Sequence, residues 1–290
     1  MRDVRIVELA GRQFNRVSRQ QLLELGLDQA AIERRLRSSR LAITEHEGVL
    51  AVPPVLQHDD WGRRMGATLT APSTFLSLFS GAAAWGFWAP RRAYETVTRP
   101  GSGGPRMHGG LLVFRSSTLD GDCTTLRGIP ITSPARTIVD LAAHVSDRAL
   151  ARAVREAVRL GLESAASLTD ALARHRGRRG SRRLARALAR YTGLPLERAR
   201  SGAEVRALEI LRDARRPLPA LNRHIAGEEA DLSWAAVRQI VEIDGGPFHL
   251  DVGEDLRKQQ CWEDAGWEVH RIRSDDVYEA PARLLALAPQ

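Results

Sequence analysis

The final ninety residues carry the pattern that most restricts the fold. From Ser201 the chain reads as an amphipathic helix, SGAEVRALEILRDA, capped by that serine, followed by three alternating segments, LNRHIA, EEADLSW and RQIVEID. A helix, RKQQCWEDAG, stops at Gly266 and WEVHRIR is a last strand, so the order is α-β-β-β-α-β. Asp231 falls in the second strand, and Glu242 and Asp244 fall two apart in the third. Side chains alternate along a strand, which puts Glu242 and Asp244 on one face and turns Val241 and Ile243 towards the core. Eleven positions separate Asp231 from Glu242 and include a tight turn near 234–237, so hairpin pairing sets Asp231 beside the other two acids.

Three converging carboxylates repel one another unless a hard cation such as Mg²⁺ (or Mn²⁺) shares their oxygens. Asp231, Glu242 and Asp244 are therefore the candidate metal ligands and catalytic acids. Glu204, on the preceding helix, is a fourth oxygen ligand or orients a water. Cys123 and Cys261 are the only cysteines, so no CxxC zinc site or disulfide framework can be built. Lys258 is the only lysine, which removes any P-loop GK[ST] or Schiff-base lysine elsewhere, and the glycines of PGSGGPRMHGG read as a loop.

With 290 residues, 43% hydrophobic and 27% charged, the chain is expected to form two or three globular domains rather than a disordered polymer. Charges stand where a signal peptide needs an apolar run, and Pro72, Gly81 and Gly86 interrupt the uncharged stretch 65–90. The expectation is a cytoplasmic protein with no membrane partner. Charge is unevenly spread: eleven basic and seventeen acidic side chains after residue 200 give −6, so residues 1–200 hold +14 of the overall +8. The front of the chain attracts polyanions, and nucleic acid is the partner such a balance suits.

At the N-terminus, RIVELAGRQ spaces Val4 and Val7, joined by Ile6 and Ala10, along one helical face. Ser18 precedes RQQLLELG with Gln21 placed for a capping box, and Gly26 ends that helix. Asp28 caps DQAAIERRLRSSR, with Ala31, Ile32 and Leu36 inward and Arg34, Arg35 and Arg37 outward. A hairpin, LAITEHEGVLAV, turns near Glu47-Gly48 behind them. This is the arrangement of a winged helix-turn-helix with 28–38 as recognition helix, and Arg34, Arg35, Arg37 and Arg40 are its candidate DNA contacts. The middle region offers a helix at about 74–86, strands YETVTRP and LLVFRSS, and helices SPARTIVDLAAHV and RALARAVREAVRLG. It ends in ten arginines against the single acid Glu197 over 171–200, which reads as a solvated helix face or as a phosphate-binding run. The expected class is α+β multidomain, with units 1–55, 56–200 and 201–290.

Asp-Leu-Ser-Trp at 231–234, Val-Glu-Ile-Asp-Gly at 241–245, Phe248-His249, Asp255, Lys258, Gly266-Trp267 and Arg271 together resemble the small nuclease domain akin to very-short-patch repair endonucleases. That domain belongs to the PD-(D/E)XK restriction-endonuclease superfamily, and the likeness covers about 201–278. VSRQQLLELGL, GVLAV, SGAAAWGF and GIPITSPARTIVDLA resemble, more loosely, AbiEi-type antitoxin or transcriptional-regulator domains. The resemblance implies Mg²⁺-dependent phosphodiester hydrolysis in the C-terminal domain, double-stranded DNA as substrate and a cognate toxin as a further partner. It makes Asp231 the first acid and Glu242 the second, with Asp244 where a lysine that positions the attacking water often stands. Lys258 either supplies that charge from the following helix or is a surface lysine or phosphate contact. The wing departs too, because Glu45 and Glu47 flank His46 where DNA would favour basic residues.

Other readings stay open. His249 assists a water or touches a phosphate, or it is a hydrogen-bonded structural histidine. Trp234, Trp262 and Trp267 stack on bases or, as their positions favour, pack in the core. Cutting both strands calls for a homodimer or two successive nicks. The alternative function is a non-catalytic transcriptional regulator or type IV toxin–antitoxin antitoxin that keeps the acids without turnover.

Overall fold

In the computed structural model, which describes residues 2–54, 59–87, 93–191, 194–195, 198–245 and 252–290, the short-range signals of the sequence start the helices. The chain opens with α1 (Arg2–Gly11), β1 (Arg16–Ser18), α2 (Arg19–Glu24), α3 (Gln29–Arg37), β2 (Ala42–Ile43) and β3 (Val49–Ala51). Ser18 accepts the Gln21 amide and Gln21 returns a bond to the Ser18 amide, closing the capping box, and Asp28 caps α3 through the Ala31 amide at 2.6 Å. The strands form an antiparallel sheet in the order β1-β3-β2. Ile6, Ala10, Val17, Leu22, Ile32, Leu41 and Leu50 fill one core beneath them. The buried face of α1 is therefore Ile6 and Ala10; Val4 and Val7, expected to share it, are 60% and 59% exposed. Ile6 and Ala10 are four apart and stack on one face, whereas Val4 lies two residues from Ile6 and points well away from it.

There follow α4 (Asp60–Leu69), β4 (Phe75–Leu76), α5 (Leu78–Trp85), β5 (Glu95–Pro100), β6 (Arg106–His108), β7 (Leu111–Ser116), β8 (Cys123–Leu126), β9 (Ile129–Thr132) and α6 (Pro134–Leu141). Six strands make a mixed sheet in the order β6-β7-β5-β4-β9-β8. The helix expected over 74–86 begins only at Leu78, because Phe75 and Leu76 are drawn into the sheet opposite Thr98 and Val97. The glycine loop likewise yields a strand: Arg106–His108 pairs with β7 around Gly109 and Gly110, whose positive φ suits a two-residue hairpin turn. In the SPARTIVD segment, Arg136 is 1% exposed and donates to Asp122 at 2.8 Å, Asp140 at 2.9 Å and Ser116 at 2.9 Å. A buried cation so fully satisfied ties β7, the β8 approach and α6 together.

Next come α7 (Asp147–Arg159), α8 (Ala165–Arg174) and α9 (Ser181–Ala189), and then α10 (Gly202–Asp213), β10 (Ala220–Ile225), β11 (Glu228–Trp234), β12 (Gln239–Asp244), α11 (Val252–Asp264), β13 (Glu268–Arg273), α12 (Ser274–Glu279) and α13 (Pro281–Leu287). The sheet order is β10-β11-β12-β13, antiparallel until the last pair, which α11 crosses over to make parallel. Ile240 and Val241 are adjacent on β12 and both fully buried, so the sheet is covered on both faces there. Trp262 of α11 is buried with its Nε1 donating to the Ile225 carbonyl, Trp234 donates to the Pro217 carbonyl, and Trp267 packs against the same core as Trp262.

The fold is α+β, with thirteen helices and three sheets among the described residues. The chain divides into two compact units, Met1–Ala153 with Asp170–Leu184, and Val154–Thr169 with Ala185–Gln290. No helix among the described residues is long and apolar enough to cross a membrane.

Candidate functional site

The register of β11 on β12 runs Trp234↔Gln239, Ser233↔Ile240, Leu232↔Val241, and the next pair in line is Asp231 opposite Glu242. At that point the carboxylates replace the ladder: the Asp231 amide donates to Glu242 Oε1 at 2.8 Å, and the Ile243 amide donates to Asp231 Oδ2 at 2.8 Å. Each acid thus spends one oxygen on a backbone amide and keeps the other for a further partner. Burial pushes both upward, Asp231 to about 6 and Glu242 to about 7. Burial is the largest cause of these rises, to which the negative charges of Glu204, Glu229 and Asp244 beside Asp231, and of Asp231 beside Glu242, contribute.

Glu204 is 4% exposed on α10, whose N-cap Ser201 accepts its amide at 3.1 Å. Its Oε2 accepts from the Arg200 amide at 2.9 Å and from Asn222 Nδ2 at 2.7 Å, so it is held as a fixed charge near Asp231. Asp244 does not stand alone: Arg271 Nη1 donates to its Oδ1 at 2.9 Å. Arg271 is opposite Glu242 in the parallel β12–β13 ladder and draws the Glu242 carboxyl back down. The same guanidinium lies 3.7 Å from Asp255 Oδ2 and donates through Nη2 to the Asp255 carbonyl at 3.3 Å. Lys258 is elsewhere engaged, 3.4 Å from Glu254 one turn back on α11. His249 lies outside the described residues.

No group of three or more His, Cys, Asp and Glu is arranged to hold a metal ion among the described residues. The donor set on offer is the pair Asp231 and Glu242, oxygen ligands whose charges conflict without a cation. One or two carboxylates completed by water and substrate phosphate are what Mg²⁺ takes, so the pair fits that ion.

Of the arginines expected to face DNA, Arg34 and Arg37 are exposed on α3. Arg35 instead folds back, donating to Asp3 at 2.7 and 3.1 Å and to the Ala31 carbonyl at 3.2 Å. Its guanidinium holds the Asp3 carboxyl below the usual range, and Arg40 stands 3.7 Å from the same group. Arg35 is thus a brace between α1 and α3 rather than an outward contact. The β2–β3 turn is also anchored: His46 is 2% exposed with its Nε2 bonded to the Arg63 carbonyl at 2.9 Å, and Glu47 lies 3.5 Å from His108. In the arginine run, Arg178 is bound to Asp140 at 3.0 Å and Arg183 to Asp147 at 2.6 Å. Arg174, Arg176, Arg179 and Arg182 remain exposed.

The role of Arg271 went unread in the sequence, where it was only one element of a motif. Its partners depend on strand register and a crossover helix, and no local spacing encodes them.

No family model matches the chain. Two uncharacterized proteins of Mycobacterium tuberculosis are similar to it, MT2308 of strain CDC 1551 / Oshkosh and Rv2248 of strain ATCC 25618 / H37Rv. Each is 32% identical over 166 residues, covering 53% of this chain and 59% of the relative.

Proposed function

We propose that the C-terminal part of this protein is a restriction-endonuclease-like phosphodiesterase acting on DNA, borne on a chain whose N-terminal winged helix-turn-helix docks on duplex through α3. The observation that carries the reading is the Asp231–Glu242 pair: two half-buried carboxylates, opposite one another where β11 and β12 part, each with one oxygen uncommitted to a backbone amide. Both are raised, chiefly by burial and further by the acids around them, even though Arg271 draws Glu242 part of the way back, and groups at functional sites are commonly perturbed in this way. Asp231 and Glu242 would hold Mg²⁺ or Mn²⁺, which when bound supplies a Lewis acid for the phosphoryl oxygens and a lowered water pKa. The chain's own part is to fix geometry. The Ile243 and Asp231 amides lock the two carboxylates, and Glu204, pinned by Arg200 and Asn222, keeps the local field negative enough to favour a divalent cation.

The test is incubation of the purified protein with supercoiled plasmid, single-stranded DNA and structured RNA, with Mg²⁺ or with chelator. Nicking that requires the metal and falls roughly 100-fold or more in Glu242→Gln is the expected result. No cleavage with Mg²⁺ or Mn²⁺, or equal cleavage by Glu242→Gln, overturns it. A second reading, a DNA-binding regulator or antitoxin without turnover, draws on Arg34 and Arg37, whose exposure on α3 serves duplex binding whether or not the acids are active. Under that reading, chelator leaves every measurable property unchanged.

A further inference from the structure

Two residues after Glu242, β12 carries a third acid, Asp244, so this strand brings no positive charge to the carboxylate pair, and the only lysine of the chain lies 3.4 Å from Glu254. A cation nevertheless reaches this spot from the next strand. Arg271 shares its ladder position with Glu242, and its guanidinium lies between Asp244 of β12 and Asp255 of α11. Two residues from separate elements thus aim one side chain, whose own exposure is 29%. An arginine carries five N–H donors, and the bonds described for Arg271 use Nη1 towards Asp244 and Nη2 towards the Asp255 carbonyl. That leaves donors of the planar fork for two oxygens of a tetrahedral anion, the geometry in which arginine binds phosphate best.

We propose that Arg271 is the residue that binds the scissile phosphate at this site, with Asp244 and Asp255 as its positioning residues. The inference rests on the phosphodiesterase reading above and assigns the positive group that this reading lacks. In the reaction, a water oxygen adds to phosphorus and the bond from phosphorus to the leaving deoxyribose oxygen breaks. One water proton ends on that leaving oxygen and the other goes to solvent. Arg271 transfers no proton; it stays charged and neutralises the two non-bridging oxygens as negative charge builds on them. Asp244 is then a holder of the guanidinium, and Asp231 and Glu242 are the pair that would hold the metal. What separates Arg271 from a structural tie such as Arg136, which also holds two acids but is 1% exposed, is its partial exposure and its place opposite Glu242.

The experiment uses the full chain, Mg²⁺ and a labelled duplex, with the parent, Arg271→Ala, Arg271→Lys, Arg271→Gln, Glu242→Gln and the control Arg257→Ala, whose exposed side chain pairs with Glu228 and which is expected to cut like the parent. Arg271→Ala is expected to lose roughly 100-fold in kcat, with a much smaller change in KM, and Arg271→Lys to recover about tenfold of that loss. Added methylguanidinium should restore part of the turnover to Arg271→Ala and none to Glu242→Gln, an effect that a purely structural arginine would not give. If Arg271→Ala does not fold, as judged by its thermal melt, the kcat of Arg271→Lys and the rescue of Arg271→Gln by methylguanidinium decide. A parent that cuts while Arg271→Ala cuts within about threefold of it overturns this inference and leaves the phosphodiesterase reading standing. So does loss without any rescue by lysine or methylguanidinium. A parent that cuts nothing overturns the reading itself, and the inference with it.

Discussion

Asp231 and Glu242 place a cost on the folded chain whose sign can be worked out. In the unfolded chain both ionise in the ordinary carboxylate range near pH 4, whereas in the fold burial raises them to about 6 and about 7. Between those limits the unfolded state has released protons that the folded state retains, so stability falls as pH rises from about 4 to about 7 and the cost is complete above that. Asp231→Asn and Glu242→Gln keep the side-chain oxygens that accept from Ile243 and Asp231 but remove the charge. In chelator at pH 7.5 each variant should therefore melt a few degrees above the parent, with the difference vanishing near pH 4. Thermal melts at several pH values check this; a variant that melts below the parent at pH 7.5 would show the charges to be stabilising and the site assignment wrong. A function that costs stability is the expected mark of a site kept for its chemistry.

Among the elements, α3 divides its arginines between bracing and presentation. Arg35 is bound to Asp3 on α1, while Arg34 and Arg37 are exposed. Replacing Arg34 and Arg37 together by Ala should weaken duplex binding and lower the slope of log K against log salt by about 2, since each phosphate contact releases roughly one counterion. Arg35→Ala should alter the melt more than the slope, and binding isotherms at several salt concentrations separate the two; an unchanged slope in the double variant moves the DNA surface to the exposed arginines of 174–182. The division shows which elements the sequence could disclose. The caps at Ser18, Asp28 and Ser201 bind amides three residues away and were legible, as were β11 and β12, whose alternation is local. The strand Phe75–Leu76 was hidden inside an apolar run because its partners are Thr98, Val97 and Ile131, and β6 was hidden by the glycines around it. The acid pair could be foreseen from an eleven-residue hairpin. Arg271 beside it could not, because a parallel register is set by packing across a crossover.

At the scale of the whole molecule, the excess positive charge and the acid pair lie on different stretches of the chain. The first 200 residues carry +14 and the remainder −6, and α3 belongs to one compact unit while the Asp231–Glu242 pair belongs to the other. An acidic stretch gains nothing from a polyanion by itself, so the duplex binding proposed above has to come chiefly from the basic stretch. Groups that share no partners contribute additively, which makes binding and metal dependence separable in a single preparation. With chelator present, the affinity of the full chain for a duplex should stay within about twofold of its value in Ca²⁺ at equal ionic strength, while metal-dependent cleavage is abolished. Mg²⁺ without DNA should raise the melting midpoint of the parent progressively with concentration, because a ligand bound only by the folded state stabilises it, and should leave Glu242→Gln unmoved. Gel-shift and melting measurements on the same samples decide the matter. If chelator removes duplex binding together with cleavage, then the metal belongs to the DNA interface itself, and the separation of a docking module from an acid-pair site is wrong.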